Sequence, residues 1–176
     1  MYAFSEKNLH NETIFVIDDE QANLKLLNKV LTSAGYTDPV LISDPRQVLP
    51  AYQQHRPSLI LLDLNMPGLN GYGVMEQLTG LGDPLLPPIV ILTAQHHQDY
   101  LLKALEAGAR DFISKPFDRR ELLMRVRNFL DAHVAHRLVR NQKDHLEELV
   151  ERRTHELQET RLEIIRRLGH AAEYRD

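Results

Sequence analysis

The sequence predicts an α/β fold, a doubly wound five-stranded parallel sheet that carries helices on both faces and is followed by a long C-terminal helix. Short runs rich in Val, Ile and Leu alternate with amphipathic helical patterns between residues 13 and 131. Runs without polar alternation are typical of parallel strands that are buried on both faces. The stretch from Asp118 to Leu168 contains no Gly or Pro, which predicts a single long helix.

The predicted elements alternate regularly along the chain. The five strands are predicted at residues 13–17, 40–42, 58–63, 89–93 and 111–114. Helical patterns follow at residues 24–31, 45–56, 71–81, 99–107 and from residue 118 onward. Gly35 and Gly108 mark the ends of the first and fourth helices, because glycine readily adopts the left-handed conformation that often ends a helix.

Two helix starts carry capping residues. Ser43 or Asp44 caps the second helix, with Pro45 at its first position, and Asp118 caps the last helix with Glu121 as a reciprocal partner. Right-handed crossovers place each helix against the sheet, so this alternation predicts the strand order 2-1-3-4-5.

Asp63 is the residue around which the candidate chemistry is organised. It ends the apolar run that begins at Ser58, and turn residues follow it immediately. A carboxylate at the carboxyl end of such a strand lies where open α/β sheets bind their ligands. Taken alone, Asp63 fits the role of a cap for the next helix equally well.

Four of the predicted strands end in side chains that suit phosphoryl chemistry. Asp18 and Asp19 follow the first strand, Asp63 ends the third, Thr93 ends the fourth, and Lys115 follows the fifth. Three converging carboxylates repel one another unless a cation is bound, and an all-oxygen ligand set favours Mg²⁺ over Zn²⁺. Asp63 is then the candidate nucleophile, with Mg²⁺ and the Lys115 ammonium neutralising the charge on a transferred phosphoryl group.

Each of these residues also has an ordinary structural explanation. Asp18 and Asp19 suit the first turn of a helix, Thr93 suits a strand end, and Lys115 suits a solvated loop. We favour the functional interpretation because all of them fall at the same predicted edge of one sheet.

Composition excludes several classes of site. The 176 residues include no cysteine, which excludes disulfides and thiol chemistry. The net charge of −4 lies within residues 1–135, whereas residues 136–176 carry equal numbers of acidic and basic side chains. Neither part has the basic character of a nucleic-acid binder, so we expect no nucleic-acid partner.

No segment has the character of a leader or a membrane anchor. Residues 1–13 are polar, and no apolar run approaches the roughly 20 residues of a membrane span. We therefore expect no membrane association and a cytoplasmic location. His96 and His97 are predicted in a loop and His133 and His136 on the long helix, with surface or amphipathic roles rather than metal binding.

Four sequence motifs resemble those of a known family. They are Ile17-Asp18-Asp19-Glu20, Leu62-Asp63-Leu64-Asn65-Met66-Pro67-Gly68, Leu92-Thr93-Ala94, and Asp111-Phe112-Ile113-Ser114-Lys115-Pro116-Phe117. Residues 12–131 resemble the receiver domain of bacterial two-component response regulators, a CheY-like domain. The remaining residues, 132–176, are interpreted as a helical linker.

The resemblance implies that Asp63 accepts a phosphoryl group from a sensor histidine kinase or a phosphotransfer protein. It also implies a Mg²⁺ site formed by Asp18, Asp19 and Asp63 with the backbone carbonyl of Asn65. Such a domain is expected to catalyse only its own phosphorylation and dephosphorylation. The competing interpretation is a phosphatase of the haloacid dehalogenase type, but those enzymes place a second Asp where this chain has Asn65.

Further roles follow from the same resemblance. Thr93 and Lys115 correspond to the hydroxyl and the ammonium that contact the phosphoryl group. Phe112 stands at the aromatic switch position, which is often Tyr in this family, and Thr93 is the second switch residue. The Lys115–Pro116 peptide bond is expected to be cis.

The tail is predicted to form a coiled coil. One apolar line repeats every seven residues, at Val150, Leu157, Ile164 and Ala171. A second line begins apolar and continues polar, at Val139, Leu146, Arg153, Thr160 and Arg167. This half-polar seam predicts a parallel homodimer through residues 138–172, and the resemblance adds a second contact through the fourth and fifth helices. A solvated single helix is the alternative.

Residues 157–176 carry a second resemblance, to the linker and first helix that lead into the HD-GYP output domain of some response regulators. It implies a metal-dependent cyclic-di-GMP phosphodiesterase after the linker, although the His-Asp metal motif is absent from these residues. Similar linkers also precede diguanylate cyclase and kinase domains. We expect the helix to continue beyond residue 176 into an output domain.

Overall fold

The computed structural model describes residues 9–94 and 98–174. The strands are β1 (Ile14–Ile17), β2 (Val40–Ile42), β3 (Leu59–Asp63), β4 (Ile89–Thr93) and β5 (Asp111–Ser114). The helices that follow them are α1 (Gln21–Ser33), α2 (Val48–His55), α3 (Gly71–Thr79), α4 (Gln98–Glu106) and α5 (Arg119–Glu173). All neighbouring strands are parallel, and the order β2-β1-β3-β4-β5 confirms the predicted topology.

The hydrophobic core consists of two clusters, one on each face of the sheet. Val16 and Leu61 belong to the cluster that packs against α1 and α5. Their neighbours Ile17 and Leu62 belong to the cluster that packs against α2, α3 and α4. Successive strand residues point to opposite faces, so both faces require apolar side chains. This is why the central strands appear in the sequence as continuous apolar runs.

The strand register brings the candidate side chains to one edge of the sheet. In the pairing of β1 with β3, the residues that follow the last pair are Asp18 and Asp63. The backbone N–H of Lys115 donates to the carbonyl oxygen of Thr93 at 2.7 Å, which places the end of β5 beside the end of β4. Parallel strands therefore deliver all four residues to the same carboxyl edge.

The second helix begins later than the sequence predicted. Asp44 does act as a cap, because its Oδ1 accepts from the backbone N–H of Arg46 at 3.0 Å. The turn that it caps, Pro45–Gln47, is a 3-10 helix, and α2 starts only at Val48. The guanidinium of Arg46 reaches back to Asp44 at 2.8 Å, which favours the tight turn over a regular helical start.

Only one of the two reciprocal capping contacts predicted at the start of the last helix forms. Asp118 Oδ1 accepts from the backbone N–H groups of Arg120 and Glu121, at 2.8 and 3.0 Å. The side chain of Glu121, predicted to reach back to Asp118, instead accepts from Arg125 at 2.9 Å. A charged guanidinium one turn ahead is a stronger donor than a backbone amide, so it takes the Glu121 carboxylate. The third helix also ends early, at Thr79, because Gly80 and Gly82 follow it.

The chain divides into two compact units, one through Ala135 and one from His136. The predicted boundary between the receiver domain and the linker, at residue 131, remains a prediction. α5 continues without interruption from Arg119 to Glu173, and its residues after Arg140 are exposed along the described length. No helix in residues 9–94 or 98–174 is long and apolar enough to cross a membrane.

The two histidines predicted on the long helix lie in different environments. His133 is buried on the face of α5 that also carries the buried Leu130 and Val134, which fits the amphipathic alternative. His136 is exposed, which fits the surface alternative. His96 and His97 lie outside the described residues.

A polar cluster connects α2 to the loop before β4. The hydroxyl of the buried Tyr52 donates to Asp83 Oδ2 at 2.7 Å, and Arg56 donates to the same oxygen at 2.7 Å. Burial and the Asp83 carboxylate raise the pKa of Tyr52 to about 12. The Tyr52 hydroxyl in turn lowers the pKa of Asp83, and the backbone N–H of Leu85 helps to hold this carboxylate.

We predict that Tyr52→Phe lowers the free energy of unfolding by about 1 kcal/mol at neutral pH, because one buried hydrogen bond is lost. The pKa of Tyr52 rises from 10.0 to about 12 on folding, so this stabilisation is complete below pH 10 and disappears as the pH approaches about 12. Urea unfolding across this range measures both effects. Tyr174→Phe is the matched control, because Tyr174 is 92% exposed. Equal stability of the two variants would contradict the prediction.

Candidate functional site

Three carboxylates converge at the carboxyl edge of the sheet. Asp18, Asp19 and Asp63 each offer an oxygen, and these oxygens lie within 4.8 Å of one another. Asp18 and Asp63 are buried, whereas Asp19 is partly exposed. The backbone N–H of Glu20 donates to Asp18 Oδ1 at 2.9 Å, which orients that carboxylate at the entry to α1.

Lys115 contacts two of these carboxylates. Its Nζ lies 2.9 Å from Asp18 Oδ2 and 3.5 Å from Asp63 Oδ1. The ammonium is itself mostly buried, with 19% of its side chain exposed. One ammonium faces three carboxylates, so the four side chains together retain an excess of negative charge.

The environment of Asp63 disfavours its anionic form. Burial is the largest cause and raises the pKa of Asp63, and the neighbouring Asp18 adds to this effect. The Lys115 ammonium and a hydrogen bond from the backbone N–H of Asn65 lower the pKa, but the net direction is upward. A carboxylate with this balance gains from any additional positive charge at its oxygens.

The donor set fits a hard divalent cation. Carboxylate oxygens with no nitrogen or sulfur ligand are the set that Mg²⁺ prefers, and their unbalanced charge is what such an ion would neutralise. Within residues 9–94 and 98–174, these three carboxylates form the one group that could hold a metal ion. Asp18, Asp19 and Asp63 would hold the ion.

The loop after β3 is anchored by packing that the sequence analysis missed. Leu64 and Met66 are buried, whereas Asn65 between them is exposed. A Cβ at Gly71 would lie 2.7 Å from the carbonyl oxygen of Asp63 and 2.7 Å from Cα of Leu64. Only glycine allows this approach of α3 to the backbone beside Asp63. The available signal was the alternation of apolar and polar residues after Asp63.

The two predicted switch residues occupy different environments. Thr93 is completely buried at the end of β4. Phe112 lies on the edge strand β5, is partly buried, and packs against the core cluster on the α2, α3 and α4 face. The Lys115–Pro116 peptide bond is cis, which confirms that expectation.

An apolar pocket of about 390 Å³ opens beside Lys115. Its other walls come from the start of α1, the end of β4 and the β5–α5 loop, through Asn23, Leu26, Ala94, Pro116 and Phe117. Leu26 is half exposed at this surface. Lys115, whose ammonium contacts Asp18 and Asp63, therefore also lines an apolar pocket.

Most of the first unit of this chain is similar to response regulators. The family model for the response regulator receiver domain matches residues 14–127. The DNA-binding response regulator MtrA of Mycobacterium tuberculosis is 40% identical over 116 residues, 66% of this chain and 49% of MtrA. A probable transcriptional regulator, ycf27 of Porphyridium aerugineum, is 38% identical over 122 residues, 69% of this chain and 49% of that protein. The chain thus spans about half the length of these relatives.

Solved structures agree. The receiver domain of a sensor histidine kinase from Pseudomonas aeruginosa, with a magnesium ion coordinated in its active-site cleft, is 28% identical, with a TM-score of 0.63. The similarity covers 69% of this chain and 98% of that domain. The chain belongs to the response regulator receiver domain family.

Proposed function

We propose that this chain is the phosphoacceptor of a two-component system and that Asp63 accepts the phosphoryl group. The observation that carries the proposal is the convergence of Asp63 with Asp18, Asp19 and the Lys115 ammonium at one strand edge. The donor is a phosphohistidine on a sensor histidine kinase or a phosphotransfer protein. The apolar pocket beside Lys115 offers a surface on which such a donor can dock.

The transfer moves one phosphoryl group between two side chains. A carboxylate oxygen of Asp63 attacks phosphorus, the O–P bond forms, and the N–P bond to the donor imidazole breaks. Lys115, which lies 3.5 Å from Asp63, would move its ammonium to the phosphoryl oxygens. The Thr93 hydroxyl would donate to one of these oxygens. Neutralising the equatorial oxygens is the main contribution that a protein makes to this reaction.

Mg²⁺ is the cofactor that the donor set favours. Asp18, Asp19 and Asp63 would hold the ion, with the backbone carbonyl of Asn65 as a further proposed ligand. The bound ion would supply positive charge beside the accepting oxygen. Few protein ligands imply weak binding with several waters retained, in the millimolar to sub-millimolar range.

Phosphorylation is proposed to act as a switch rather than as a step in substrate turnover. Once Asp63 is phosphorylated, Thr93 and Phe112 change position, and α5 carries the change to a dimer contact and an output domain. The position two residues after Asp63 is Asn65, which lacks the carboxyl group that a haloacid dehalogenase uses as a general acid.

Two observations support different proposals for the output domain. MtrA, as a DNA-binding response regulator, supports a DNA-binding output. The linker resemblance of residues 157–176 supports an HD-GYP phosphodiesterase, with cyclase and kinase outputs as variants. The encoding reading frame downstream of residue 176 distinguishes them, because it would encode either a DNA-binding or an HD-GYP sequence.

We predict that Asp63→Asn abolishes labelling by acetyl phosphate, because the carboxylate nucleophile is lost. Intact-mass spectrometry measures the added phosphoryl group. Asp99→Asn, which changes an exposed carboxylate on α4, should label like the unaltered protein. Labelling should stop at one phosphoryl group per chain, and rapid multiple turnover would instead indicate a phosphatase. Retained labelling of the Asn variant would overturn the assignment of Asp63.

The same variant should be more stable than the unaltered protein at neutral pH without divalent cations. The folded pKa of Asp63 is raised above its ordinary 3.8, so its contribution is most favourable below that pH and is lost as the pH rises through the folded pKa. The amide side chain of the variant does not ionise, so the variant does not lose stability as the pH rises. Melting curves with and without Mg²⁺ measure the difference, and a variant that melts lower at pH 7 would contradict the expected repulsion.

We predict that Asp19→Ala removes Mg²⁺ binding, because two buried carboxylates remain with Lys115 already close to both. Titration calorimetry and the Mg²⁺-dependent rise in melting temperature measure the loss. Glu20→Ala is the matched control, since Glu20 is an exposed neighbour whose carboxylate accepts from Asn23 instead. An unaltered protein whose melting ignores Mg²⁺ would contradict the metal site itself.

A further inference from the structure

The helix beyond Ala135 exposes a narrow line of aliphatic side chains that the phosphoryl site does not use. The line consists of Val139, Leu146, Val150, Leu157, Ile164 and Leu168. Each of the six exposes between 53% and 70% of its surface. Large aliphatic side chains exposed in a continuous row mark an interaction surface.

The six residues form a straight row along the helix. At about 100° per residue, which corresponds to 3.6 residues per turn, all six lie within about 20° of one line parallel to the axis. Each of the first three has a counterpart 18 residues later, after about five complete turns. No other position between residues 136 and 174 falls in this wedge, so every position in it is aliphatic.

We infer that this line binds the same helix of a second copy of the chain. The inference rests on the proposed function, in which α5 carries the change to a dimer contact and an output domain. The two helices run parallel and nearly straight, rather than supercoiling on a heptad seam. The line is defined by the six aliphatic residues, and it replaces the two seven-residue lines expected from the sequence.

The straight row accounts for the polar positions that interrupt a heptad seam. A strict seven-residue repeat drifts by about 20° per heptad on a straight helix. Relative to the row, Arg153, Thr160 and Arg167 therefore lie about 40°, 60° and 80° to one side. These side chains flank the contact instead of interrupting it. Leu168, which the heptad lines omit, belongs to the row.

The row is narrow, and this width fits another helix as its binding partner. A helix that lies on a membrane or a globular surface needs an apolar stripe at least about 100° wide, whereas a helix pair needs only a narrow seam. Six such side chains bury roughly 500 Å² per helix, about 1,000 Å² in total, which is the size of a weak or transient interface. Leu149 and Leu138 lie about 80° and 100° from the row, outside this contact.

Charge favours a second copy as that helix. Residues 136–176 carry equal numbers of acidic and basic side chains, so two copies do not repel each other overall. A second copy also supplies the same row at the same spacing, which a two-fold contact requires. In a parallel pair, Arg153 faces the opposite flank of the second helix. In an antiparallel pair centred on the row, Arg153 would meet its own copy, and like charges in contact are unfavourable.

Single cysteine variants test the geometry directly, because the chain has no cysteine of its own. Under mild oxidation, Leu157→Cys and Leu168→Cys should form disulfide-linked dimers, whereas Arg167→Cys and Leu162→Cys should not. Cross-linking at Arg167→Cys in preference to Leu168→Cys would overturn the straight row in favour of the heptad seam. Cross-linking only in a mixture of Val139→Cys with Leu168→Cys would overturn the parallel orientation.

Sedimentation equilibrium of the full chain tests the contact energetically. Leu157→Glu and Leu168→Glu should each weaken the dimer by at least about tenfold, because a carboxylate would be buried in the row. Leu162→Glu is the matched control, since Leu162 is 59% exposed but lies on the other side of the helix. A monomeric unaltered chain, or equal loss in the control, would overturn the inference. Acetyl phosphate labelling of the same variants at Asp63 should persist, which separates a failed dimer from a failed receiver.

Discussion

The receiver depends on holding two buried carboxylates, Asp18 and Asp63, at the ends of adjacent strands. Removing these groups from water and placing them beside each other is costly, and Lys115 offsets only part of that cost. The strands that carry them are buried on both faces. A slip of one residue would exchange the side chains that pack in the two core clusters and disrupt both, so a change of register cannot separate the carboxylates.

The opposite end of the sheet shows how the same fold treats a carboxylate without this constraint. Asp83 accepts from Tyr52, Arg56 and the backbone of Leu85, and these contacts lower its pKa. Asp63 has a raised pKa despite its contacts with Lys115 and Asn65. The fold therefore satisfies one acidic group and leaves the other in need of positive charge, which is the pattern of a binding site.

Local packing makes this site rigid on one side. Gly71 lets α3 approach the backbone beside Asp63, and the buried Leu64 and Met66 fix the loop between them. A loop anchored in this way holds the backbone beside Asp63, so the proposed phosphorylation would act on β4 and β5 instead. The proposed switch residues Thr93 and Phe112 lie on those two strands.

The helix of the second unit is stabilised by its own side chains. Ion pairs one turn apart, such as Glu148 with Arg152 at 3.2 Å and Glu163 with Arg167 at 2.6 Å, support a helix in water. Each such pair contributes only a few tenths of a kcal/mol, so burial of the aliphatic row is the larger available stabilisation. A helix of this kind suits the proposed relay, because the proposed contact with a second copy could change while the helix persists.

The sequence by itself determined the sheet, its strand order and the residues at its carboxyl edge. Short continuous apolar runs bounded by turn residues are typical of strands buried on both faces, and parallel strands deliver Asp18, Asp63, Thr93 and Lys115 to one edge. Tertiary structure alone decided which groups touch, because distances such as Lys115 to Asp18 depend on packing between residues nearly a hundred positions apart. It also decided the start of α2, where the Arg46 side chain favours a 3-10 turn, and the burial of His133. Those outcomes depend on competing local hydrogen bonds and on the position of one helix face against the core, which periodicity along a single chain does not encode.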